Sequence, residues 1–110
     1  MPHFRLEYST NVDDELDHKL FFAKVHTLVS EFGSFQINSM KSRVTPCSKY
    51  FVADGGKERS FVHLEFSILP GRSADTKKKA SALLLKTLKD HFPRTESNQI
   101  CSFTVEIREM

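Results

Sequence analysis

At 110 residues the chain has the size of one domain and is long enough to bury a core. Apolar residues at 39% and charged residues at 27% are ordinary for a soluble globular chain, and a net charge of +2 is too small to argue for a nucleic-acid partner. No apolar run is long enough to cross a bilayer and no N-terminal segment resembles a signal peptide, so no membrane role is expected and the expected location is cytoplasmic.

The chain opens on Met1-Pro2-His3-Phe4. Methionine before a small residue is ordinarily trimmed, which makes Pro2 the expected N-terminus. Its ring nitrogen is then a secondary amine with a lone pair. An α-amino group titrates near about pH 7.7–8.0, and burial or nearby cations penalise its charged form. A modest downward shift gives a general base that is neutral at physiological pH. The alternative is that Pro2 merely opens a strand, where its missing N–H costs little.

From His3 to Tyr8, Phe4, Leu6 and Tyr8 alternate with His3, Arg5 and Glu7, the period of a half-buried strand. Asp13, Asp14 and Glu15 follow a polar break and suit the N-terminus of a helix. Leu16, Leu20, Phe21, Val25, Leu28, Val29 and Phe32 recur at three and four, so the helix is predicted to run to about Phe32 and to end at Gly33. A second strand is expected somewhere between Phe35 and Val44, with Pro46 and Gly55-Gly56 bracketing a loop or hairpin region.

Phe61 to Leu69 alternates clearly, with Val62, Leu64, Phe66 and Ile68 on one face and His63, Glu65 and Ser67 on the other. Pro70-Gly71 turns the chain, and Ser73 is a good N-cap with Asp75 in the first turn. Ala80, Leu84, Leu88 and Phe92 form the stripe of a second helix, which Pro93 is expected to stop. Ile100 to Ile107 alternates as a last strand.

The element order is βαβ, βαβ, and Leu6-Glu7-Tyr8-Ser9 reappears as Leu64-Glu65-Phe66-Ser67. The expected fold is therefore α+β: one domain of two pseudo-repeats, about 1–58 and 59–110, forming a four-stranded mixed sheet with both helices on one face. The other face, carrying His3 and His63, is left open and invites oligomerisation.

Each βαβ crossover makes its own strands parallel. A two-fold relation between the repeats sets the first strand antiparallel to the third, which brings Pro2 near Gly71-Arg72-Ser73. Arg72 sits at a strand-to-helix turn, where free backbone N–H groups favour an anion. There a guanidinium can grip a carboxylate at two points and lower the proton affinity of a nearby amine. It can equally be a solvated turn residue.

Lys41, Arg43 and Lys49 form a second cationic group, suited to substrate contact or to protecting a strand edge. Lys77-Lys78-Lys79 reads as a solvated helix face. The five histidines show no HxxxH or HExxH spacing, so no metal is expected. Cys47 and Cys101 belong to no CxxC pattern and are expected as reduced thiols.

Taken together, Pro2-His3-Phe4, Phe22-Ala23-Lys24-Val25, Ser42-Arg43-Val44, Ala53-Asp54-Gly55, Phe61-Val62-His63, Gly71-Arg72-Ser73 and His91-Phe92 resemble the 5-carboxymethyl-2-hydroxymuconate Δ-isomerase family. That family belongs to the tautomerase superfamily, whose members use an N-terminal proline and build trimers from βαβ repeats. The resemblance implies a cofactor-independent isomerase acting on a small unsaturated keto or enol carboxylate, and a homotrimer. By position it implies Pro2 as general base and Arg72, Arg43 and Lys41 as substrate-binding cations. A promiscuous phenylpyruvate-type tautomerase and a non-catalytic trimer that binds a small acid or a protein are the other readings. This chain departs from the pattern at Lys41, where the family tends to have arginine, and in lacking the family's tryptophans after Arg43.

Overall fold

The computed structural model describes residues 2–31 and 35–110. Met1, and the expected helix end at Phe32 and Gly33, lie outside the described residues. Four strands, β1 (His3–Ser9), β2 (Lys41–Cys47), β3 (Arg59–Ile68) and β4 (Ile100–Glu109), form one sheet in the order β2-β1-β3-β4. β1 pairs parallel with β2 and β3 parallel with β4, while the central β1 and β3 are antiparallel. Two long helices, α1 (His18–Ser30) and α2 (Ala74–Asp90), complete the two βαβ units. The α+β fold expected from the alternation is the fold observed.

One core explains the arrangement. Phe4 and Leu6 of β1 and Val62, Leu64 and Phe66 of β3 are fully buried, together with Phe21, Val25 and Val29 of α1 and Leu84 and Leu88 of α2. Burying one such side chain contributes about 1.5–3 kcal/mol, so the alternation of β1 and β3 commits their even-numbered residues to the helical side. Phe4 and Phe66 are register partners, and their rings stack at 4.4 Å with a 2° interplanar angle. A slip of one residue would throw Phe4 onto the opposite face. This stack therefore locks the start of β1 against the end of β3, where the candidate site lies.

The opposite face is polar. Arg43, His3, Glu65, Arg108, His63 and Glu106 stand on it, with Arg108 3.7 Å from Glu65 and His63 3.4 Å from Glu106. Among the described residues no helix is long and apolar enough to cross a membrane.

Two expectations need correction. The first helix starts at His18, capped by Asp17, whose side chain accepts from the Leu20 N–H, and not at Asp13. Two of the acids that suggested the earlier start, Asp13 and Asp14, serve another helix. Asp14 accepts from the N–H groups of Arg94 at 3.3 Å and Thr95 at 2.6 Å, at the start of the short α3 (Pro93–Asn98). Pro93 accordingly does more than stop α2, which ends at Asp90. It occupies the first turn of α3, where a missing N–H costs nothing. The second strand, Lys41–Cys47, runs past Val44 and includes Pro46, which was expected to bound a loop; Ile37–Ser39 form a 3-10 turn before it.

Candidate active site

Pro2 is buried and immediately precedes β1. Its carbonyl accepts the Lys41 N–H at 3.1 Å, extending the parallel β1–β2 ladder by one step. Across the sheet the antiparallel register pairs His3 with Ser67, so Pro2 lies at the end of β3, beside Ile68. Beyond β3 the chain turns through Gly71, whose φ of +120° strains any residue with a Cβ. Ser73 then caps α2 through its Oγ, which accepts the Thr76 N–H at 3.1 Å.

That turn carries Arg72 back over the sheet end. Pro2, Arg72, Phe35, Gln36, Ser39, Ile68 and Leu69 line one cavity of about 150 Å3. Arg72 Nε is buried, and the guanidinium carbon lies 4.0 Å from the centroid of the Phe35 ring. The walls combine an apolar surface (Phe35, Ile68, Leu69) with one guanidinium and the polar side chains of Gln36 and Ser39. Chemically this suits a small acid with an apolar body.

The other two sequence-derived candidates lie apart from these walls. Lys41 is exposed at the start of β2, with its Nζ 3.4 Å from the Ser39 carbonyl. Arg43 is exposed two residues further along the same strand and lines a different cavity, with Tyr8, His18, Phe22, Ser42, Val44 and Pro46. Its Nη2 lies 3.3 Å from His3 Nδ1. A guanidinium can only donate, so that ring nitrogen is the acceptor. Desolvation, then the charges of Arg43 and Lys41, hold the His3 pKa below its ordinary value.

Phe35, Gln36, Ser39, Ile68 and Leu69 were not among the sequence candidates. Ile68 and Leu69 follow from the register once Pro2 is placed. Phe35, Gln36 and Ser39 sit in an irregular connection without periodicity, and no sequence signal marked them. Both cysteines are free thiols, and burial pushes the Cys101 thiol up.

Residues 2–110 match the family described as CHMI, 5-carboxymethyl-2-hydroxymuconate isomerase. The chain is 32% identical over 110 residues to the 5-carboxymethyl-2-hydroxymuconate Delta-isomerase of Escherichia coli, covering 100% of this chain and 87% of that one. A crystal structure of a 5-carboxymethyl-2-hydroxymuconate isomerase from Deinococcus radiodurans R1 superposes with a TM-score of 0.90 at 29% identity, covering 99% of this chain and 82% of that one. A fused 4-OT wild type symmetric trimer shares the fold alone, with a TM-score of 0.75 at 9% identity, covering 98% and 85% of the two chains.

Proposed function

This chain belongs to the 5-carboxymethyl-2-hydroxymuconate isomerase family and is an isomerase; from that premise we propose that it moves a proton along a small unsaturated keto or enol carboxylate, with the amine of Pro2 as general base. The observation that carries this reading is that buried Pro2 and Arg72 line one cavity. Removal of Met1 frees the Pro2 nitrogen. Burial and the neighbouring guanidinium both penalise its charged form, leaving a lone pair for proton abstraction near neutral pH.

In the proposed reaction Pro2 takes a proton from a dienol hydroxyl or from the carbon beside a carbonyl, and returns it elsewhere on the conjugated system. No cofactor is needed, because the conjugated carbonyl itself accepts the electron pair. Arg72 grips the carboxylate through its planar fork and stabilises the dienolate as charge develops. Lys41 and Arg43 supply further positive charge from β2. We read the chain as one domain of two repeats, about 1–58 and 59–110.

Two assignments refine this. Arg72 is the one cation among the described cavity walls, and Phe35, Ile68 and Leu69 are apolar. That composition favours a monocarboxylate with an apolar tail, of the phenylpyruvate type, beside a muconate-like substrate. The polar face opposite the helices fits assembly as a homotrimer, the state described for the fused 4-OT relative. The mass of the native particle tests this: three chain masses are expected, and a monomer at micromolar concentration would refute it.

The deciding experiment combines intact mass with kinetics. A natively expressed chain lacking Met1 should isomerise unsaturated 2-keto acids, and Pro2→Ala should not. A chain that retains Met1 in full and is still active rules out the proline mechanism.

A further inference from the structure

We propose that Phe35 is a positioning residue: its ring holds the Arg72 guanidinium over the Pro2 cavity and so sets how tightly a substrate carboxylate is gripped. This deepens the proposed function and rests on its assignment of Arg72 as the carboxylate clamp.

The contact is a cation–π geometry. The guanidinium carbon stands 4.0 Å from the Phe35 ring centroid, well inside the roughly 6 Å reach of such attraction. Stacking engages the flat face of the guanidinium, whereas carboxylate recognition uses the N–H donors along its edge. The two contacts do not compete, and the first pre-orders a long side chain for the second.

Phe35 can serve this way because it is itself held. It is 5% exposed, and its ring tilts against Phe66 at 5.3 Å and 54°. Phe66 in turn stacks on Phe4, two residues after Pro2. The chain leaving Phe35 is tied down as well. Ser39 N–H donates to the Gln36 carbonyl, Met40 N–H to the Ile37 carbonyl, and Lys41 N–H to the Pro2 carbonyl. Through its ring and through its backbone, Phe35 is therefore registered to the strand that begins at Pro2. The Phe35 ring thus links the Arg72 guanidinium to the strand that begins at Pro2.

The test uses the full chain and two probes. Trans-cinnamate, a flat unsaturated carboxylate with no proton to move along a keto–enol system, reports binding by calorimetry. Phenylpyruvate reports turnover. Phe35→Leu keeps an apolar side chain but removes the ring face, while Phe35→Tyr restores it.

The expected result for Phe35→Leu is a weakening of cinnamate binding and a fall in kcat/KM for phenylpyruvate, each of about 3- to 30-fold. Phe35→Tyr should return both values to within about twofold of wild type, since tyrosine has the same ring face. In an Arg72→Ala background, Phe35→Leu should change cinnamate affinity by less than about twofold, because the coupled partner is gone.

The inference is overturned by wild-type binding in Phe35→Leu, by a full additional loss in the Arg72→Ala background, by failure of tyrosine to rescue, or by a wild-type chain that does not bind cinnamate. Full activity in Pro2→Ala is a different result. It removes the proline mechanism, while the cinnamate measurements still decide the role of Phe35.

Discussion

The backbone N–H of Lys41 donates to the carbonyl oxygen of Pro2 over 3.1 Å, so the residue proposed as the base is tied into the sheet through its carbonyl, which a substitution of its ring leaves in place. That division separates folding from chemistry. Pro2→Ala keeps the carbonyl and the ladder bond but replaces the secondary amine. The variant is expected to melt within a few degrees of wild type and to lose about 100-fold or more in kcat/KM, the low end of what a positioned base contributes. Unchanged turnover in a chain shown by mass to begin at residue 2 would sink the assignment.

Arg72→Ala is expected to reduce kcat/KM for an unsaturated keto acid by roughly 10- to 100-fold, the scale of lost hydrogen bonds to a charged group. Arg72→Lys should recover little of this, because lysine offers a point charge where the cavity presents a planar fork stacked on Phe35. Steady-state kinetics of the two variants side by side makes the check. Full recovery by lysine would show that charge alone matters.

Stability should fall as the solution is acidified through the histidine range. Burial holds His26 below its ordinary value of 6.5, and desolvation with Arg43 and Lys41 does the same to His3. A folded-state pKa below the unfolded one means that the unfolded chain binds more protons in that window. The contribution is therefore intact above pH 6.5 and is lost as pH falls through that value toward the lower folded pKa. His26 Nε2 lies 2.6 Å from Ser42 Oγ, and His26→Gln retains a hydrogen-bonding side chain that does not titrate. Urea midpoints at pH 7 and pH 5 should differ less in His26→Gln than in wild type. An identical drop in both proteins would exclude His26 as a source.

Asp14 should matter for stability and not for chemistry. Its carboxylate caps α3 through the N–H groups of Arg94 and Thr95, while its own N–H reaches Thr95 Oγ1 at 3.2 Å. Losing such a cap costs about 1 kcal/mol, which corresponds to a melting point lower by roughly 4 °C or more. Asp14→Ala should show that shift with KM and kcat unchanged. A melting point equal to wild type would mean that α3 holds without its cap.

The places where the sequence misled have a common cause. Asp13 and Asp14 look like the acidic first turn of α1 because capping chemistry is the same whichever helix is capped; only the fold reveals that Asp14 serves α3. Pro93 reads as a terminator from either side of it, although it opens a helix. β2 was the least legible strand because Pro46 lies within it and the 3-10 turn at Ile37–Ser39 leads into it.

What the sequence determined by itself is what depends on local spacing and on one dominant core. The alternation of Phe4 and Leu6 with their neighbours, and of Val62, Leu64 and Phe66 with theirs, specifies strands with one buried face, and the three-and-four spacing of both long helices specifies what covers it. The role proposed for Pro2 could be read from the sequence because it rests on the residue's place in the chain. The antiparallel meeting of β1 and β3 follows from the repeat and brings Pro2 toward Arg72. The tertiary structure alone decided which side chains close the cavity around them. Phe35, Gln36 and Ser39 come from an irregular connection whose residues bear no period, and their placement depends on Phe35 packing against Phe66 and on the Lys41 N–H reaching the Pro2 carbonyl. Those contacts join positions distant in sequence. No local pattern encodes them, because their energy exists only once the core has formed.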